Sequence, residues 1–505
     1  MRRLAPLALA LAACSGAAPV KPPFPAGFAW GAAIAGFQVD MGCPSGPCDD
    51  PRSDWYDFVT RRGELKDLQD AISTDLPSAG PGYFELYAQD HRRAKEELGL
   101  NALRVSLEWS RLFPNATDGI VGQDALRAAA DPEALAAYHA MFASLKAQGL
   151  RPMVTLNHYT LPLWLHDGVA CHLDFDHCTR RGWLDRERIE AELARYAGFC
   201  GAEFGGEVDW WVTENEPINV IFPAYLLPGA ERLNPPAVTF KYAAARSVLL
   251  TMVEAHARMV DALRTSDTAD ADGDGKPTFI GLVFATVPVK GKTSSALDAR
   301  AAKDVDALYN TAFLDAVILG DVDADLDGVP EVKGRSDLAG RMDFLGLNIY
   351  TRITVEGTDA PVLPDLSPRT RFNPITLQAF EDYPRGLYEM AMLAKDRYHL
   401  PSIVTETGAQ VQTDGAAGAS WLVRYAQWAR RAIRDGADLR GFFYWSLMDN
   451  YEWNHGMDYR FGLYAVDKAD PRKARTARPA VDVYRQITRA NDVPSSLAQQ
   501  YPAPE

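Results

Sequence analysis

Two glutamates are the side chains of this sequence best placed to do chemistry. Glu216 follows the apolar run at residues 210–213, and Glu406 follows a similar run at residues 403–405. Short β-branched and aromatic runs of this kind predict buried parallel strands. A carboxyl group just beyond such a strand lies in the mouth of a (β/α)8 barrel. Two carboxyl groups that meet there could cleave a glycosidic bond, because one can protonate the leaving oxygen while the other attacks the sugar or activates water.

The elements that would position these glutamates alternate along the chain. Apolar runs predict eight strands, at residues 28–32, 102–106, 153–157, 209–213, 278–284, 344–348, 402–405 and 441–445. Amphipathic stretches between them predict helices, for example at residues 87–97, 134–148, 189–200 and 243–263. This alternation predicts the α/β class, as a single (β/α)8 TIM barrel with inserted loops. We expect the catalytic barrel to span residues 26–495 and a C-terminal tail to follow at residues 496–505.

The bulk composition excludes some classes of function. The chain has 505 residues, of which 47% are hydrophobic, so it can form one large barrel with a full core. The formal net charge is −15 and no face rich in Lys and Arg stands out, so we expect no nucleic-acid partner. No internal stretch is apolar and long enough to span a bilayer.

The N-terminus predicts export from the cytoplasm. Two arginines precede an apolar run, so residues 1–13 have the pattern of a secretory signal peptide. The run ends in Leu-Ala-Ala before Cys14, which resembles the lipobox of bacterial lipoproteins, and residues 14–25 would then be a tether. Lipidation of Cys14 would anchor the protein in the cell envelope, at the outer membrane or the periplasmic face. The alternative is an ordinary cleaved signal, an incidental Cys14 and a secreted protein.

The remaining cysteines fit an oxidising compartment. Cys43 and Cys48 enclose one short loop, and Cys171 and Cys178 enclose another, so each pair is expected to form a disulfide. Cys200 lies in an apolar run and is expected to be a buried thiol. A metal cluster is the rival interpretation, but the spacings fit no zinc pattern.

Several motifs together resemble one enzyme family. In chain order they lie at residues 28–33 with Gln38, 103–111, 157–159, 215–217, 343–350, 405–408 and 445–453, the last followed by 460–463. In type and order they are similar to glycoside hydrolase family 1. Residues 36–38, 54–56 and 75–83 resemble the archaeal-type β-glycosidase branch of that family.

The resemblance implies roles for the residues near the two glutamates. Glu216 would be the general acid/base and Glu406 the nucleophile of a retaining mechanism, with Arg104 and Tyr350 beside the nucleophile and Asn215 at the 2-hydroxyl of the sugar. One carboxyl must be protonated while the other is ionised, and a positive group beside the nucleophile would separate their pKa values. We expect the two carboxyl groups to lie about 5–5.5 Å apart, the separation of retaining enzymes.

The resemblance also implies a sugar-binding subsite. Its residues would be Gln38, His158, Asn215, Trp445, Glu452, Trp453 and Phe461. A carboxylate at Glu452 would repel a phosphate, so a neutral sugar is expected.

The chain departs from the family pattern at a few positions. Asp40, Tyr159, Ile349 and Thr407 stand where the family commonly has Glu, Trp, Tyr and Asn, which leaves the preference for particular hydroxyl groups open. Glu214, beside the expected acid/base, is also unusual.

Two acidic segments lie outside the family pattern. Each reads D-x-D-x-D-G, a spacing that can gather oxygen ligands around Ca²⁺. The candidate ligands are Asp270, Asp272 and Asp274 in one segment and Asp323, Asp325 and Asp327 in the other. Neither segment has the glutamate that an EF-hand needs at its twelfth position, because Gly281 and Gly334 stand there. The segments therefore predict either structural calcium sites or two solvated acidic turns.

The function that these features favour is that of a retaining exo-β-glycosidase. We expect it to hydrolyse O-linked β-glycosides or oligosaccharides, as β-glucosidases and β-galactosidases do, without a cofactor. The alternatives are a transglycosylase that uses the same site and a non-catalytic sugar-binding lipoprotein. The presence of Glu216, Glu406, Arg104 and Tyr350 together argues against the binding protein, which has no need for both carboxyls.

Overall fold

A computed structural model describes residues 24–410 and 416–504 of the chain. The predicted signal peptide, Cys14 and most of the predicted tether lie outside the described residues. Within the part that the structure describes, no helix has the length and apolar character needed to cross a membrane.

Eight parallel strands close into a barrel, which confirms the predicted (β/α)8 fold. They are β1 (Ala29–Ala33), β2 (Ala102–Ser106), β3 (Arg151–Asn157), β4 (Trp210–Asn215), β5 (Phe279–Ala285), β6 (Phe344–Asn348), β7 (Ser402–Thr407) and β8 (Leu439–Trp445). Each strand pairs with its neighbours in sequence, and β1 pairs with β8 to close the barrel. Two small outer sheets pair Val289–Gly291 with Ile353–Val355 and Tyr464–Val466 with Arg475–Ala477.

Helices surround the barrel. The α-helices are Gly36–Val39, Asp54–Thr60, Tyr83–Arg92, Trp109–Leu112, Gln123–Ala129, Pro132–Ala147, Gly168–Leu173, Arg186–Phe204, Pro217–Tyr225, Tyr242–Ser266, Ala296–Asp306, Ala312–Leu319, Arg385–Leu393, Ala416–Arg434, Pro479–Ala490 and Ser495–Gln500. Short 3₁₀ turns lie at Pro77–Ala79, Gly182–Leu184 and Trp453–His455, and π-helical turns lie at Arg93–Glu97, Ala307–Thr311 and Ala394–Tyr398.

Side chains alternate between the inside of the barrel and the surrounding helices. Trp210 and Val212 of β4 belong to the cluster inside the barrel, whereas Trp211 belongs to the larger core between strands and helices. This alternation follows from the two-residue period of a strand. Close strand contacts require small residues, since a Cβ at Gly281 would lie 2.6 Å from the Phe344 ring. Apolar side chains therefore fill the lower barrel, and its polar groups gather at the C-terminal ends of the strands.

Both predicted disulfides form, Cys43–Cys48 and Cys171–Cys178, and Cys200 is a buried free thiol as expected. The predicted strands differ from the observed ones by at most two residues at each end. The segment predicted as a C-terminal tail begins inside the helix Ser495–Gln500, which buries Leu497.

Candidate active site

The carboxyl ends of the barrel strands bring most of the predicted site residues together. Hydrogen bonds, ion pairs or ring contacts connect Gln38, Arg104, His158, Asn215, Glu216, Tyr350, Glu406, Trp445, Glu452 and Trp453 into one network. Phe461 packs against the apolar cluster inside the barrel, to which Trp445 belongs.

Glu406 lies at the end of β7 and is bound by two donors. The guanidinium of Arg104, from β2, donates to Oε1, and the Tyr350 hydroxyl donates to Oε2 at 2.8 Å. Arg104 is fully buried and also donates to Thr155 Oγ1 at 3.0 Å and to Asn215 Oδ1 at 2.7 Å. The two donors fix the carboxylate plane of Glu406, and the arginine connects it to the next strands.

Burial raises the pKa of Glu406 to about 7. Arg104 opposes that rise through its charge, Glu216 adds to it, and the hydrogen bonds from Tyr350 and Arg104 lower the pKa again. The arginine therefore acts in the expected direction, but burial outweighs it. Glu406 therefore ionises less readily than an exposed glutamate.

Glu216 lies at the end of β4 and immediately before the helix Pro217–Tyr225. Its Oε1 accepts from Asn348 Nδ2 at 2.8 Å, and its Oε2 accepts from Asn219 Nδ2 at 2.7 Å and from the Tyr159 hydroxyl. The carboxyl is 5% exposed. Three donors from three different elements thus hold this carboxyl at the mouth of the barrel.

A bulge in β4 directs Asn215 into the pocket. The β4–β5 register shifts between Val212 and Asn215. Thr213 faces the outer helices, where it bonds His256 at 2.7 Å. The extra residue of the bulge then allows Asn215 to point inward, where it bonds Arg104 inside the barrel. Bulges commonly re-aim side chains beside active sites in this way.

Three site residues other than glycine have left-handed backbone angles. Tyr159 has φ 71°, Glu216 has φ 49° and Trp453 has φ 51°. Such a conformation costs on the order of 1–3 kcal/mol for each residue and persists only where the surrounding structure enforces it. These are three of the nine non-glycine residues with positive φ in the described part of the chain, and all three border one pocket, as strained residues at functional sites do.

Glu452 and Gln38 form the second polar group of the pocket. Glu452 Oε2 accepts from Gln38 Nε2 at 2.8 Å and from Asn450 Nδ2 at 2.6 Å. Burial raises the pKa of Glu452, and the charge of Arg232 opposes that rise. Gln38 Oε1 is buried and has no hydrogen-bond partner among the described residues, so it is available to a ligand.

Aromatic rings border these polar groups. His158 stacks on Trp445 at 5.9 Å and on Trp453 at 6.0 Å between ring centroids. Burial lowers the pKa of His158 well below its usual value, so the ring is neutral, and its Nε2 lies 3.1 Å from Asn215 Nδ2. Polar groups beside apolar rings are what a sugar-binding pocket needs.

The sequence analysis missed three residues of this site. Asn348 and Asn219 bind Glu216, and Arg232 binds the Tyr159 hydroxyl with its Nη2 at 2.7 Å. Asn348 lies within a motif quoted above, so its place at a strand end could have revealed it. The other two lie after β4, where no residue pattern pointed to them.

Glu214, the unusual neighbour of the candidate acid/base, is fully buried. Neither of its carboxyl oxygens has a hydrogen-bond partner in the described part of the chain. Burial raises its pKa well above the usual value and so favours the neutral acid. The Glu214 carboxyl therefore has no hydrogen bond to any described residue of the pocket.

The two acidic segments form compact turns away from this pocket. The carboxylates that gather closely are Asp209, Asp270 and Asp272 in one and Asp323, Asp325 and Asp327 in the other, so Asp209 takes the place expected for Asp274. In the first turn Asp270 accepts from its own loop, at 2.8 Å from the Gly273 amide and 2.9 Å from the Gly275 amide. Both sets of carboxylates could hold a cation, and calcium stays a prediction.

Comparison with known proteins agrees with this geometry. The model of glycosyl hydrolase family 1 matches residues 20–493. The chain is 32% identical to a β-galactosidase of Sulfolobus acidocaldarius, over 94% of this chain and 96% of that protein. It is also 32% identical to a β-galactosidase of Saccharolobus solfataricus, over 92% and 94% of the two chains. The crystal structure of the β-glycosidase from Thermosphaera aggregans superposes with a TM-score of 0.80 at 28% identity, over 96% of this chain and all of that chain.

The family match covers almost the whole barrel and includes every residue of the pocket. The relatives confirm the resemblance to the archaeal branch. Enzymes of this family need no cofactor for catalysis, and these relatives are named β-galactosidases and a β-glycosidase. The chain therefore belongs to glycosyl hydrolase family 1 and is a glycoside hydrolase that acts on β-glycosides.

Proposed function

We propose that the enzyme is a retaining exo-β-glycosidase with Glu406 as the nucleophile and Glu216 as the general acid/base. The observation that carries this assignment is the difference between their partners. Glu406 binds a buried guanidinium, which favours a carboxylate ready to attack. Glu216 binds neutral donors and has Arg232 only at 3.8 Å.

A short chain of side chains joins the two carboxyl groups. Arg104 donates to both Glu406 and Asn215, and Asn348 Nδ2 donates to both Asn215 Oδ1 at 3.2 Å and Glu216 Oε1 at 2.8 Å. The two carboxyls therefore flank one small space. A separation of about 5–5.5 Å is expected of a retaining pair.

The proposed reaction has two displacements. In the first, a Glu406 oxygen bonds to the anomeric carbon, the glycosidic C–O bond breaks, and the proton of Glu216 passes to the leaving oxygen. In the second, Glu216 takes a proton from water, the water oxygen bonds to the anomeric carbon, and the ester bond to Glu406 breaks. Both carboxyls return to their starting states, and the anomeric configuration is retained.

We propose a neutral sugar as the glycone. The Glu452 carboxylate would repel a 6-phosphate, and the relatives reported above are named β-galactosidases and a β-glycosidase. A β-galactoside or β-glucoside is therefore the expected substrate.

The test is hydrolysis of a panel of neutral aryl β-glycosides by the wild type and Glu406→Gln, with Glu187→Gln as the control. Glu187 is an exposed residue on the outer helix Arg186–Phe204. We expect Glu406→Gln to lose about 10⁴-fold in kcat, because losses of this order follow removal of a nucleophilic group. The control should keep full activity. A 2-deoxy-2-fluoro glycoside should add one glycosyl group to the wild type at Glu406, detectable by peptide mass. Labelling of another residue, or an active Glu406→Gln, would refute the assignment.

We also propose that the enzyme works outside the cytoplasm, anchored in the cell envelope through Cys14 or secreted. The two disulfides support this location, because such bonds persist in oxidising compartments. Fractionation of cells that express the full chain or Cys14→Ala tests it. A lipidated form should be in the membrane fraction and Cys14→Ala should not, whereas activity in the cytoplasm for both would contradict export.

A further inference from the structure

Arg232 lies between the two polar groups of the pocket. Its Nη2 lies 3.8 Å from Glu216 Oε2, and its Nη1 lies 3.8 Å from Glu452 Oε1. Its side chain is 35% exposed, and the one hydrogen bond that this side chain makes among the described residues runs from Nη2 to the Tyr159 hydroxyl at 2.7 Å. The guanidinium thus faces the proposed acid/base and the carboxylate of the proposed sugar subsite at once.

The loop that carries Arg232 is fastened to the segment that carries Glu452. Asn454 Nδ2 donates to the Ala230 carbonyl at 2.9 Å, and the Leu233 amide donates to Asn454 Oδ1 at 3.3 Å. His455 Nε2 lies 2.9 Å from the Glu231 carbonyl. These bonds lie on both sides of Arg232 and begin two residues after Glu452. These bonds hold the two segments together, so the distance between the two charged groups does not depend on the flexible Arg232 side chain alone.

Hydrogen-bond capacity remains on both facing atoms. Glu452 Oε2 already accepts from Gln38 and Asn450, while Oε1 has no hydrogen-bond partner among the residues that the structure describes. On the arginine, Nη2 is used by Tyr159, and Nη1 makes no hydrogen bond within the described ranges. One donor and one acceptor therefore face each other across the pocket.

The gap between these atoms fits one oxygen. A direct hydrogen bond is too long at 3.8 Å, because such bonds fall between about 2.7 and 3.2 Å. An oxygen at about 2.8 Å from each atom closes the triangle with normal distances. A sugar hydroxyl satisfies both sides, since it can accept from Nη1 and donate to Oε1.

We propose that Arg232 is a specificity-determining, substrate-binding residue, whose Nη1 and Glu452 Oε1 hold one hydroxyl of the glycone between them. The inference rests on the proposed glycosidase function and adds a residue to its sugar subsite. The substrate it selects is a neutral glycoside with a free hydroxyl at that position. A glycoside deoxygenated or acylated there should be a poor substrate, because the carboxylate and the guanidinium would each lose a partner.

Arg232 also bears on the proposed acid/base through Tyr159. A guanidinium has only donors, so the Tyr159 hydroxyl must accept from Nη2 and direct its own proton to Glu216 Oε2. Loss of Arg232 would disturb this bond for every substrate. The test must therefore separate a general loss from a loss tied to one hydroxyl.

The experiment measures kcat/KM of the full-chain wild type, Arg232→Met and Tyr159→Phe on an aryl β-glycoside of the preferred sugar and on its monodeoxy analogues. The wild type should lose at least about 100-fold on the analogue that lacks the bound hydroxyl. Arg232→Met should lose 10-fold to 100-fold on the parent glycoside and should lose less than the wild type does on that one analogue, because only Glu452 still binds the hydroxyl. Tyr159→Phe, which leaves Nη1 and Glu452 in place, should lose the same factor on all analogues. Arg232→Lys serves as a second variant should Arg232→Met fail to fold, and it should keep only part of the selectivity.

An equal loss for Arg232→Met on the parent and on every analogue would overturn the inference, because Arg232 would then act only through Tyr159. Binding of the free sugar and its deoxy forms to Glu406→Gln, with and without Arg232→Met, gives a readout that needs no turnover. Should the wild type hydrolyse nothing, the proposed function fails, but the same hydroxyl-specific loss in the binding measurement still decides the role of Arg232.

Discussion

The carboxylates at the barrel mouth and those of the two acidic turns obtain their hydrogen-bond donors from different distances along the chain. Glu406 is bound by Arg104, 302 positions earlier, and Glu216 by Asn348, 132 positions later. In the acidic turns, Asp270 is bound by amides three to five residues away, and Asp323 by amides four and five residues away.

This difference separates a site from a turn. Local amides satisfy Asp270 and Asp323 as soon as each loop forms. Asp209 is the exception in the first turn, since it accepts from the Ala271 and Asp272 amides, 62 and 63 positions away. The mouth carboxylates have local donors as well, Asn219 for Glu216 and Asn450 for Glu452. Arg104, Asn348 and Gln38, however, reach these carboxylates only when distant strands close into the barrel. Glu452 Oε1 and Gln38 Oε1 are then left facing the pocket. Tertiary donors with spare capacity are what mark the mouth as a place where a ligand binds.

Among the following changes, removal of Arg104, the donor most distant in sequence from Glu406, should reduce activity the most. Arg104→Met leaves the buried Glu406 carboxylate without its ion pair, so burial and Glu216 raise its pKa without opposition from a charge. We expect kcat/KM at pH 6 to fall by about 10²-fold to 10³-fold, the loss typical of one buried donor at a reacting centre. Steady-state kinetics on an aryl β-glycoside measure it.

The control is a second buried arginine away from the pocket. Arg475 binds Asp90 through two hydrogen bonds, at 2.7 and 3.0 Å, and both side chains are 1% exposed. Arg475→Met should lower stability by about 3–5 kcal/mol, as removal of one partner of a buried pair does, and leave kcat/KM unchanged in the folded protein. Equal losses of activity in both variants would mean that Arg104 has only a structural role.

The pH profile of the wild type should be the next largest effect. Burial raises the pKa of Glu406 to about 7, and the nucleophile reacts only when it is ionised. As the pH falls below 7, kcat/KM should therefore drop by about tenfold per pH unit. A profile that stays flat down to pH 5 would show that Glu406 ionises more readily in the free enzyme than its burial implies.

A third experiment uses Glu214, a carboxyl at the barrel that has no hydrogen-bond donor among the described residues. Its pKa is well above 4.5 in the folded protein, because burial favours the neutral form. The unfolded chain releases this proton above pH 4.5 and the folded chain keeps it, so the group lowers the free energy of unfolding by about 1.4 kcal/mol for each pH unit above that point. Glu214→Gln should remove this loss, so it should raise the free energy of unfolding at pH 7 and leave it almost unchanged at pH 4.

Glu192 is the matched control for this prediction. It is as deeply buried as Glu214, but it accepts hydrogen bonds from Arg195 and Thr117. Glu192→Gln should therefore destabilise the protein at pH 7, opposite in sign to Glu214→Gln. Denaturant unfolding at both pH values compares the two, and the same sign for both would show that burial, and not the missing donor, decides the outcome.

The features that could be predicted from the sequence are those that depend on local residue patterns and motifs. The eight strands follow from runs of apolar residues. Glu216 and Glu406 were predicted because each stands at the end of such a run within a motif, and Arg104 because it lies within a motif on the second strand. These features depend on near neighbours in the chain, and near neighbours are visible in a single sequence.

The remaining features of the site depend on contacts between distant loops. Arg232 lies near Glu452 because hydrogen bonds of Asn454 join their two segments. The spacing of these residues in the sequence does not predict that they lie close together. The β4 bulge has the same character, since simple alternation after Thr213 would have turned Asn215 away from the barrel. Whether a buried glutamate such as Glu214 finds a partner also depends on side chains that converge only in the fold.

The smallest expected effect concerns calcium at the acidic turns. A cation there would compete with the amides that these carboxylates already bind. This includes Asp209, a buried carboxylate 61 positions before Asp270 whose two oxygens accept from the Ala271 and Asp272 amides. Sites of this open kind bind Ca²⁺ with a Kd of about 10⁻⁴–10⁻³ M, so 5 mM Ca²⁺ should stabilise the fold by about 1–2 kcal/mol. A thermal shift of a few degrees on adding Ca²⁺, reversed by a chelator, measures it. Asp209→Asn and Asp323→Asn assign the shift to one turn or the other. Mg²⁺ at the same concentration is the control. It requires octahedral geometry, so such loops should bind it poorly. Identical melting temperatures with Ca²⁺, Mg²⁺ and chelator would show that the two segments are acidic turns that bind no cation. The barrel mouth would then differ from them in having atoms free to bind a ligand.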